Sequence, residues 1–304
     1  MDALIQSLVQ ANFAPERIIP RALMAQYTTF RVGGVADVLV NIASADEIPV
    51  ALSAAKKVDV PVTIIGCGSN LLVRDGGIRG LVLRISSAMS AIRRVGDDLI
   101  AEAGAPLGAI AAFARDEGLC GMAELAGIPG TIGGGVVMNA GAYGTELAQV
   151  VSSVDCVSLH NGKPIHYSAD KLDFSYRHSA LMDANVVAAQ VTLSLKAGDP
   201  QAIRARMEEC AAMRREKQPL NYPSAGSTFK RPEGYFAAKL IDDCGLRGLT
   251  VGGAQVSEKH AGFIVNIGGA TASDILELMR QVEQRVFEQF GVHLEPEVRI
   301  LGED

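Results

Sequence analysis

Residues 65–70, IGCGSN, could hold a phosphate group, because a glycine-rich turn leaves backbone N–H groups open to an anion. The turn directly follows the apolar run VTII at 62–65, which predicts a strand. A dinucleotide-binding Rossmann loop, G-x-G-x-x-G/A, leads straight into a helix, whereas here Leu71 occupies the third position and turn residues follow at 75–77. The Rossmann interpretation therefore fails, and Ser69 and Asn70 stay as additional hydrogen-bonding groups.

Two further glycine-rich stretches precede residue 145, TTFRVGG at 28–34 and AGIPGTIGGG at 126–135. Each stretch alone is typical of an ordinary turn. A long cofactor with a pyrophosphate, however, needs several places where the backbone approaches closely without a Cβ, and each loop can offer N–H donors. Together the three stretches favour binding of such a cofactor.

The chain resembles the UDP-N-acetylenolpyruvoylglucosamine reductase family, flavoenzymes of peptidoglycan precursor synthesis, from about residue 21 to residue 302. The resemblance rests on motifs in the family's order and at its intervals: TTFRVGGVAD (28–37), GCGSN (66–70), AGIPGTIGG (126–134), MNAGAYG (138–144), SYRHS (175–179), AGSTFKRP (225–232) and LEPEVRILG (294–302).

This resemblance implies an α+β protein with a two-subdomain FAD-binding domain of the vanillyl-alcohol oxidase-like (PCMH) type and a C-terminal α+β substrate-binding domain. The expected boundaries are 1–85 for the first FAD-binding subdomain with an N-terminal helix, 86–200 for the second, and 201–304 for the substrate domain. FAD is expected to bind noncovalently, with Cys67 as a small loop residue, and NADPH to be the hydride donor. The implied FAD contacts are Arg31, Gly33, Gly34, Gly66, Gly68, Ser69, Asn70, Gly127, Ile128, Pro129, Gly130, Thr131, Gly133, Gly134, Asn139, Gly141 and Ala142.

The family's reaction defines the catalytic groups to look for. Hydride addition to an enol ether conjugated to a carboxylate places negative charge on the neighbouring carbon and the carboxylate, so a cation, a hydrogen-bonding acid and a proton donor are needed. The resemblance implies Arg177 as the cation and Ser227 as the proton donor. Glu297 is implied as the glutamate that polarises the carboxylate, in preference to Glu295, because the family pattern places it directly before Val298. Taken alone, Arg177 could be a surface ion-pair residue and Ser227 a turn residue.

The nucleotide-sugar substrate is expected to contact Arg214, which matches a position with this role in the family's shorter enzymes. Tyr176 and His260 are further candidates, and both could equally be packing or surface residues. The short segment between Ala180 and Val191 indicates the shorter form, which lacks an extra tyrosine-bearing loop. Two alternatives stay open: an FAD-dependent oxidase or dehydrogenase of the same fold acting on another small substrate, and a non-catalytic nucleotide-sugar binding protein.

Periodicity predicts the elements that carry these residues. Strands are expected at 38–41, 62–65, 80–85, 186–195, 249–251, 263–266 and 298–301, with hairpins turning near residue 96 and at Asn161-Gly162. Helices are expected at the N-terminus, from the N-cap Asp46 to Lys57, at 107–117, and at 200–217. A long helix should start at the capping box TASD (271–274) and end at Gly291.

Composition limits the remaining classes. The 304 residues, 48% hydrophobic and 20% charged, describe a globular chain, and its net charge of −6 argues against a nucleic-acid binder. No apolar run is long enough for membrane insertion, and Asp2 stands where a signal peptide would carry basic residues. The five cysteines form no C-x-x-C pair and the histidines no zinc motif, so we expect reduced cysteines, no metal site and a cytoplasmic location.

Overall fold

A computed structural model describes all residues of the chain, 1–304, and divides them into two compact units. The first unit comprises Met1–Pro20, Val38–Cys67 and Gly80–Arg214, and the second comprises Arg21–Asp37, Gly68–Arg79 and Arg215–Asp304. The three-part division expected at 85/86 and 200/201 stays a prediction. The mixture of helices and strands is the α+β content expected from the sequence.

Seven α-helices form, and none of them is both long and apolar enough to cross a membrane. They are α1 (Asp2–Gln10), α2 (Glu47–Lys57), α3 (Leu107–Asp116), α4 (Ile132–Val137), α5 (Pro200–Lys217), α6 (Ala237–Asp243) and α7 (Ala272–Phe290). The five helices predicted from periodicity and capping are thereby confirmed.

The strands are β1 (Ile18–Leu23), β2 (Val35–Ile42), β3 (Val62–Ile65), β4 (Leu71–Val73), β5 (Ile78–Ile85), β6 (Ile92–Val95), β7 (Asp98–Glu102), β8 (Leu119–Cys120), β9 (Gly141–Ala142), β10 (Thr145–Glu146), β11 (Val151–Ser158), β12 (Pro164–Ser168), β13 (Val186–Ser194), β14 (Lys196–Ala197), β15 (Thr250–Val251), β16 (Ala254–Val256), β17 (Ile264–Asn266) and β18 (Arg299–Leu301). The predicted strands are all present, although several differ by a few residues at their ends.

Two sheets organise the first unit. One has the strand order β1-β2-β5-β3, in which β3 and β5 run parallel, and the other has the order β12-β11-β13-β7-β6. The second sheet is antiparallel and contains both predicted hairpins. Gly96 has φ +64° in the two-residue turn between β6 and β7, a conformation that glycine adopts without steric cost.

The core of the first unit is continuous. Alternating side chains from both sheets, such as Val38, Leu83 and Val191, pack with the inward faces of α2 and α3. Burial of each large aliphatic side chain stabilises the unit by about 1.5–3 kcal/mol. This core supports the end of β3, which Gly66 follows, and the start of α3, next to the loop 126–135.

The second unit is built around α7. Its buried residues recur every three or four positions, from Ile275 through Met279 and Val282 to Val286, so that one face of the helix packs on β15 and β16. The predicted capping box is confirmed: Thr271 accepts from the N–H of Asp274, and Asp274 accepts from the N–H of Thr271. Gly291 ends the helix in the left-handed conformation, with φ +66°.

One short strand pair joins distant parts of the second unit. The residues LLV of β4 pair in parallel with β18, with Leu71 opposite Arg299. The glycine-rich turn at 66–70 therefore ends next to the motif LEPEV, although more than 200 residues separate the two.

The cap of α2 differs from the prediction. Asp46 is at the N-cap position, but its side chain makes no capping hydrogen bond. The polar contacts at this helix end are made by Glu47 instead. Its carboxylate accepts from the N–H of Ala43 and pairs with Arg17 through both oxygens.

Candidate active site

In the first unit, two of the glycine-rich loops lie against each other. Gly66 directly follows β3, and a methyl group added to it would come within 2.9 Å of Thr131 Oγ1. The absence of a side chain at residue 66 thus lets the first loop approach the loop 126–135 closely. Residues 65–67 and the stretch 126–135 are therefore neighbours within this unit.

The loop 126–135 is held in place by backbone hydrogen bonds to the start of α3. The N–H of Leu107 donates to Gly130, and the N–H groups of Ile132 and Gly133 donate to Ala105 and Ala103. Gly133 is fixed by packing, since an added methyl group would lie 2.8 Å from the Cβ of Ala103.

Gly134, the next residue, faces open space. A methyl group there would meet only Thr131 Oγ1, at 3.8 Å. The backbone N–H groups of Gly130, Thr131 and Gly134 donate no hydrogen bond within the protein, nor does that of Cys67 in the facing loop. Unused N–H donors around an open backbone face fit the pyrophosphate of a bound cofactor.

Arg214 contacts the same loop from α5. An added methyl group on Gly127 would lie 3.2 Å from its Cδ and 3.4 Å from its Nη1. Burial lowers the pKa of the Arg214 guanidinium, and the nearby phenol of Tyr143 partly opposes this. Arg214 forms no ion pair with a carboxylate, so a half-buried positive charge beside the loop is available to an anionic ligand.

Asn139, expected among the FAD contacts, uses its side chain inside the protein. Its Nδ2 donates to Glu146 Oε2 and to the carbonyl of Ser175, both over 2.9 Å, and its Oδ1 accepts from the N–H of Ala148 over 3.0 Å. The residue is 1% exposed and has φ +42°. Asn139 therefore links the β9–β10 hairpin to the segment that carries Tyr176 and Arg177.

Arg177 lies in a tight turn. The backbone N–H groups of Ser175 and His178 each donate to the carbonyl of the other, and Arg177 has φ +56°, an uncommon conformation for a residue other than glycine. Its guanidinium is 4.9 Å from the centre of the Tyr176 ring, and its Nη2 donates to the carbonyl of Gly141 over 3.5 Å. Strained backbone of this kind is concentrated at functional sites.

In the second unit, Ser227 and Glu297 are on adjacent segments. The N–H of Glu297 donates to the carbonyl of Thr228 over 2.8 Å, and the N–H of Lys230 donates to the carbonyl of Glu295. The segment after Ser227 therefore runs antiparallel to residues 295–297. The side chain of Glu295 pairs with Lys230 over 3.3 Å, so its charge already has a partner.

Two N-terminal segments complete this part of the second unit. The N–H of Thr29 donates to the carbonyl of Gly68, and its hydroxyl donates to the carbonyl of Ser224, three residues before Ser227. Asn70 Nδ2 donates to the carbonyl of Glu297 over 3.0 Å. The motifs TTFRVGG, AGST and LEPEV and residues 68–70 of GCGSN thus meet within the second unit.

The glycines of these two segments allow close backbone packing. A methyl group on Gly34 would lie 2.0 Å from the carbonyl oxygen of Asp75, and one on Gly68 would lie 2.0 Å from that of Tyr27. Gly33 packs in the same way against Val73, at 2.8 Å. These three glycines shape the turns beside Ser69 and the exposed Arg31.

His260 belongs to the loop that supports Ser227. Its Nδ1 accepts from the N–H of Gly262, whose carbonyl accepts from the N–H of Thr228. The neutral ring therefore carries its proton on Nε2. Burial lowers the pKa of His260, which keeps the ring neutral at physiological pH.

Sequence reasoning missed Thr228 as a supporting residue. It is fully buried, its hydroxyl accepts from the N–H of Ile264, and its carbonyl holds Glu297. Its position directly after Ser227 was a usable signal, because a residue that follows an exposed serine in an extended segment points to the opposite side.

Comparisons with known proteins agree with these observations. The family model described as FAD binding domain matches residues 36–168, and the one described as UDP-N-acetylenolpyruvoylglucosamine reductase, C-terminal domain, matches residues 218–301. The UDP-N-acetylenolpyruvoylglucosamine reductase of Pediococcus pentosaceus is 49% identical over 98% of this chain and 99% of its own length. That of Clostridium novyi is 47% identical over 99% of this chain and 97% of its own.

Solved structures give the same result. UDP-N-acetylenolpyruvylglucosamine reductase from Thermus caldophilus has a TM-score of 0.80 and 36% identity, covering 93% of this chain and 98% of its own. Glucooligosaccharide oxidase from Acremonium strictum, at 11% identity and a TM-score of 0.50 over 93% of this chain and 58% of its own, shares the fold alone.

Proposed function

The chain belongs to the UDP-N-acetylenolpyruvoylglucosamine reductase family, and we propose that Arg177, Ser227 and Glu297 carry its reaction. It is an FAD-dependent oxidoreductase that reduces UDP-N-acetylenolpyruvoylglucosamine to UDP-N-acetylmuramate in peptidoglycan synthesis, with NADPH as the hydride donor. The expected fold class, an FAD-binding domain of the PCMH type followed by a substrate-binding domain, is confirmed.

The residues proposed to hold FAD lie in the motifs TTFRVGG, GCGSN, AGIPGTIGG and MNAGAYG. They are Arg31, Gly33, Gly34, Gly66, residues 68–70, residues 127–131, Gly133, Gly134, Asn139, Gly141 and Ala142. The unused N–H groups near Gly134 suit the pyrophosphate, whereas Gly33, Gly34, Gly68 and Gly133 contribute by letting the backbone pack closely. When bound, FAD supplies the transfer of a hydride from NADPH to the vinyl carbon of the substrate.

Each catalytic residue has one role in this proposal. Arg177 provides positive charge for the substrate carboxylate, and Glu297 polarises that carboxylate as negative charge develops. Ser227 gives a proton to the carbon next to the carboxylate. A serine hydroxyl is a weak acid, and because Ser227 is exposed, solvent can resupply its proton.

The single observation that best supports these roles is the hydrogen bond from the N–H of Glu297 to Thr228, which places the predicted acid and the predicted proton donor on adjacent segments. Arg214, Tyr176 and His260 are proposed to bind the nucleotide sugar. The unpaired charge of Arg214 suits a diphosphate, while the stacked Tyr176 and the uncharged His260 suit neutral groups. The free cysteines and the use of NADPH support a cytoplasmic location.

Flavin absorbance tests the proposed function directly. The purified protein should be yellow, lose its colour anaerobically with NADPH, and recover it when UDP-N-acetylenolpyruvoylglucosamine is added without oxygen. Recovery only with oxygen, together with peroxide formation, would instead identify an oxidase.

A further inference from the structure

Asn70 contacts the segment that carries Glu297 at two points. The N–H of Arg299 donates to the backbone carbonyl of Asn70 over 2.9 Å, and Asn70 Nδ2 donates to the carbonyl of Glu297 over 3.0 Å. The paired strands begin with Leu71 opposite Arg299. The side-chain amide of Asn70 therefore donates to the carbonyl of Glu297, two residues before β18 begins. This bond continues the contact between the two segments beyond the paired strands.

Glu297 is held from its other side as well. Its N–H donates to the carbonyl of Thr228, so its backbone donor and its backbone acceptor are bonded to different segments. A residue with both groups fixed has little freedom in φ and ψ, and the direction of its side chain is fixed with them. Of these two bonds, only the one from Asn70 depends on a side chain, so a single substitution can remove it.

We propose that Asn70 is a positioning residue for Glu297, a role that rests on the proposed function of Glu297 in the reduction. The family resemblance placed Asn70 among the contacts of the flavin, whereas its amide donates to the backbone of the acid. Loss of this donor frees the carbonyl of Glu297 while leaving the bond from its N–H to Thr228. The carboxylate then samples a wider range of positions, and a misplacement of about 1 Å can lower a rate by as much as about 10²-fold.

Hydrogen exchange of the holoenzyme tests the positioning without reference to catalysis. In Asn70→Ala, the backbone N–H groups of Glu297 and Arg299 should exchange roughly fivefold to tenfold faster, as expected for the loss of one hydrogen bond. Asn161→Ala removes an amide that accepts from the N–H of Lys163 and belongs to no proposed binding residue, so it should leave exchange in residues 294–301 at the parental rate. Unchanged exchange in Asn70→Ala would overturn the proposal.

Stopped-flow measurements at saturating FAD link the position to the reaction. For Asn70→Ala, the rate constant of flavin reoxidation by UDP-N-acetylenolpyruvoylglucosamine, divided by that of flavin reduction by NADPH, should fall about tenfold. The substrate KM should stay close to that of the parent. Asn70→Asp keeps the side-chain volume but replaces the donor with an acceptor, so its ratio should fall at least as far. A role in filling space would spare Asn70→Asp, and a role in flavin binding alone would leave the ratio at the parental value once FAD is saturating; either result overturns the proposal. If the parent itself is not reoxidised by the substrate, the proposed function fails, and the exchange rates still decide whether Asn70 positions Glu297.

Discussion

Replacement of Asn139 by alanine should destabilise the protein strongly, although the residue is on no long helix or strand. The substitution removes three hydrogen bonds from a side chain that is 1% exposed, and leaves the N–H of Ala148 without a partner, whereas the carbonyl of Ser175 keeps the N–H of His178. It also places alanine at φ +42°, where a side chain other than asparagine or glycine is disfavoured. Together these effects should lower the free energy of unfolding by about 2–4 kcal/mol.

Two further variants separate the contributions. Asn139→Gly loses the same amide but tolerates the left-handed backbone, so it should be about 1 kcal/mol more stable than Asn139→Ala. Asn161→Ala is the matched control, because Asn161 accepts one exposed hydrogen bond, from the N–H of Lys163. Its loss should lower the free energy of unfolding by less than about 1 kcal/mol.

Urea unfolding of the holoenzyme, followed by circular dichroism at a fixed FAD concentration, measures all three variants. Equal midpoints for Asn139→Ala and Asn161→Ala would refute the assignment of Asn139 as a structural link. A parental midpoint for Asn139→Gly would show that backbone conformation alone, and not the amide, matters at this position.

Three other outcomes are expected. Ser227→Ala should leave bleaching by NADPH intact and slow recovery by substrate about 10²-fold or more, and equal recovery would remove Ser227 from the mechanism. Gly134→Ala should weaken FAD binding in a fluorescence titration with little change in melting temperature, whereas Gly133→Ala, which is packed against Ala103, should lower the melting temperature; the reverse pattern would contradict the proposed flavin loop. Burial opposes ionisation of Asp75, but hydrogen bonds from Ala272 and Ser273 prevail and lower the pKa of its carboxyl group. Its stabilising contribution is therefore present above the unfolded pKa of about 3.9 and is lost at lower pH. In urea titrations, the free energies of unfolding of Asp75→Asn and the parent should differ at pH 7 and converge towards pH 2. A difference that stays constant with pH would rule out this linkage.

Local chemistry was sufficient to predict much of the fold. The helix from Ala272 to Phe290 carries both of its end signals, the Thr271 capping box and Gly291, and both act as expected. The hairpins likewise follow from short turns between alternating strands. In these elements the determining contacts lie within a few residues of one another, so a sequence window contains them.

The remaining features depend on contacts between distant residues. The three residues of β4 have no pattern of their own and form a strand because β18 pairs with them from near the other end of the chain. Asn70 and Asn139 illustrate the same limit at the candidate site. Motif resemblance marks both as functional, but whether an amide contacts a ligand or the protein is decided by what the fold brings next to it, here Glu297 and Ser175.

The start of α7 affects how the second unit can treat phosphate groups. A helix of 19 residues concentrates partial positive charge at its first turn, where phosphate commonly binds. Here the N–H groups of Ala272 and Ser273 are bonded to Asp75, and that of Asp274 to Thr271. The protein thus supplies its own anion at this helix end, and a diphosphate reaching this end would meet a carboxylate that repels it. Affinity for a nucleotide sugar therefore depends on arginine and lysine side chains and on open loops. Free inorganic phosphate has no binding site at the start of the longest helix.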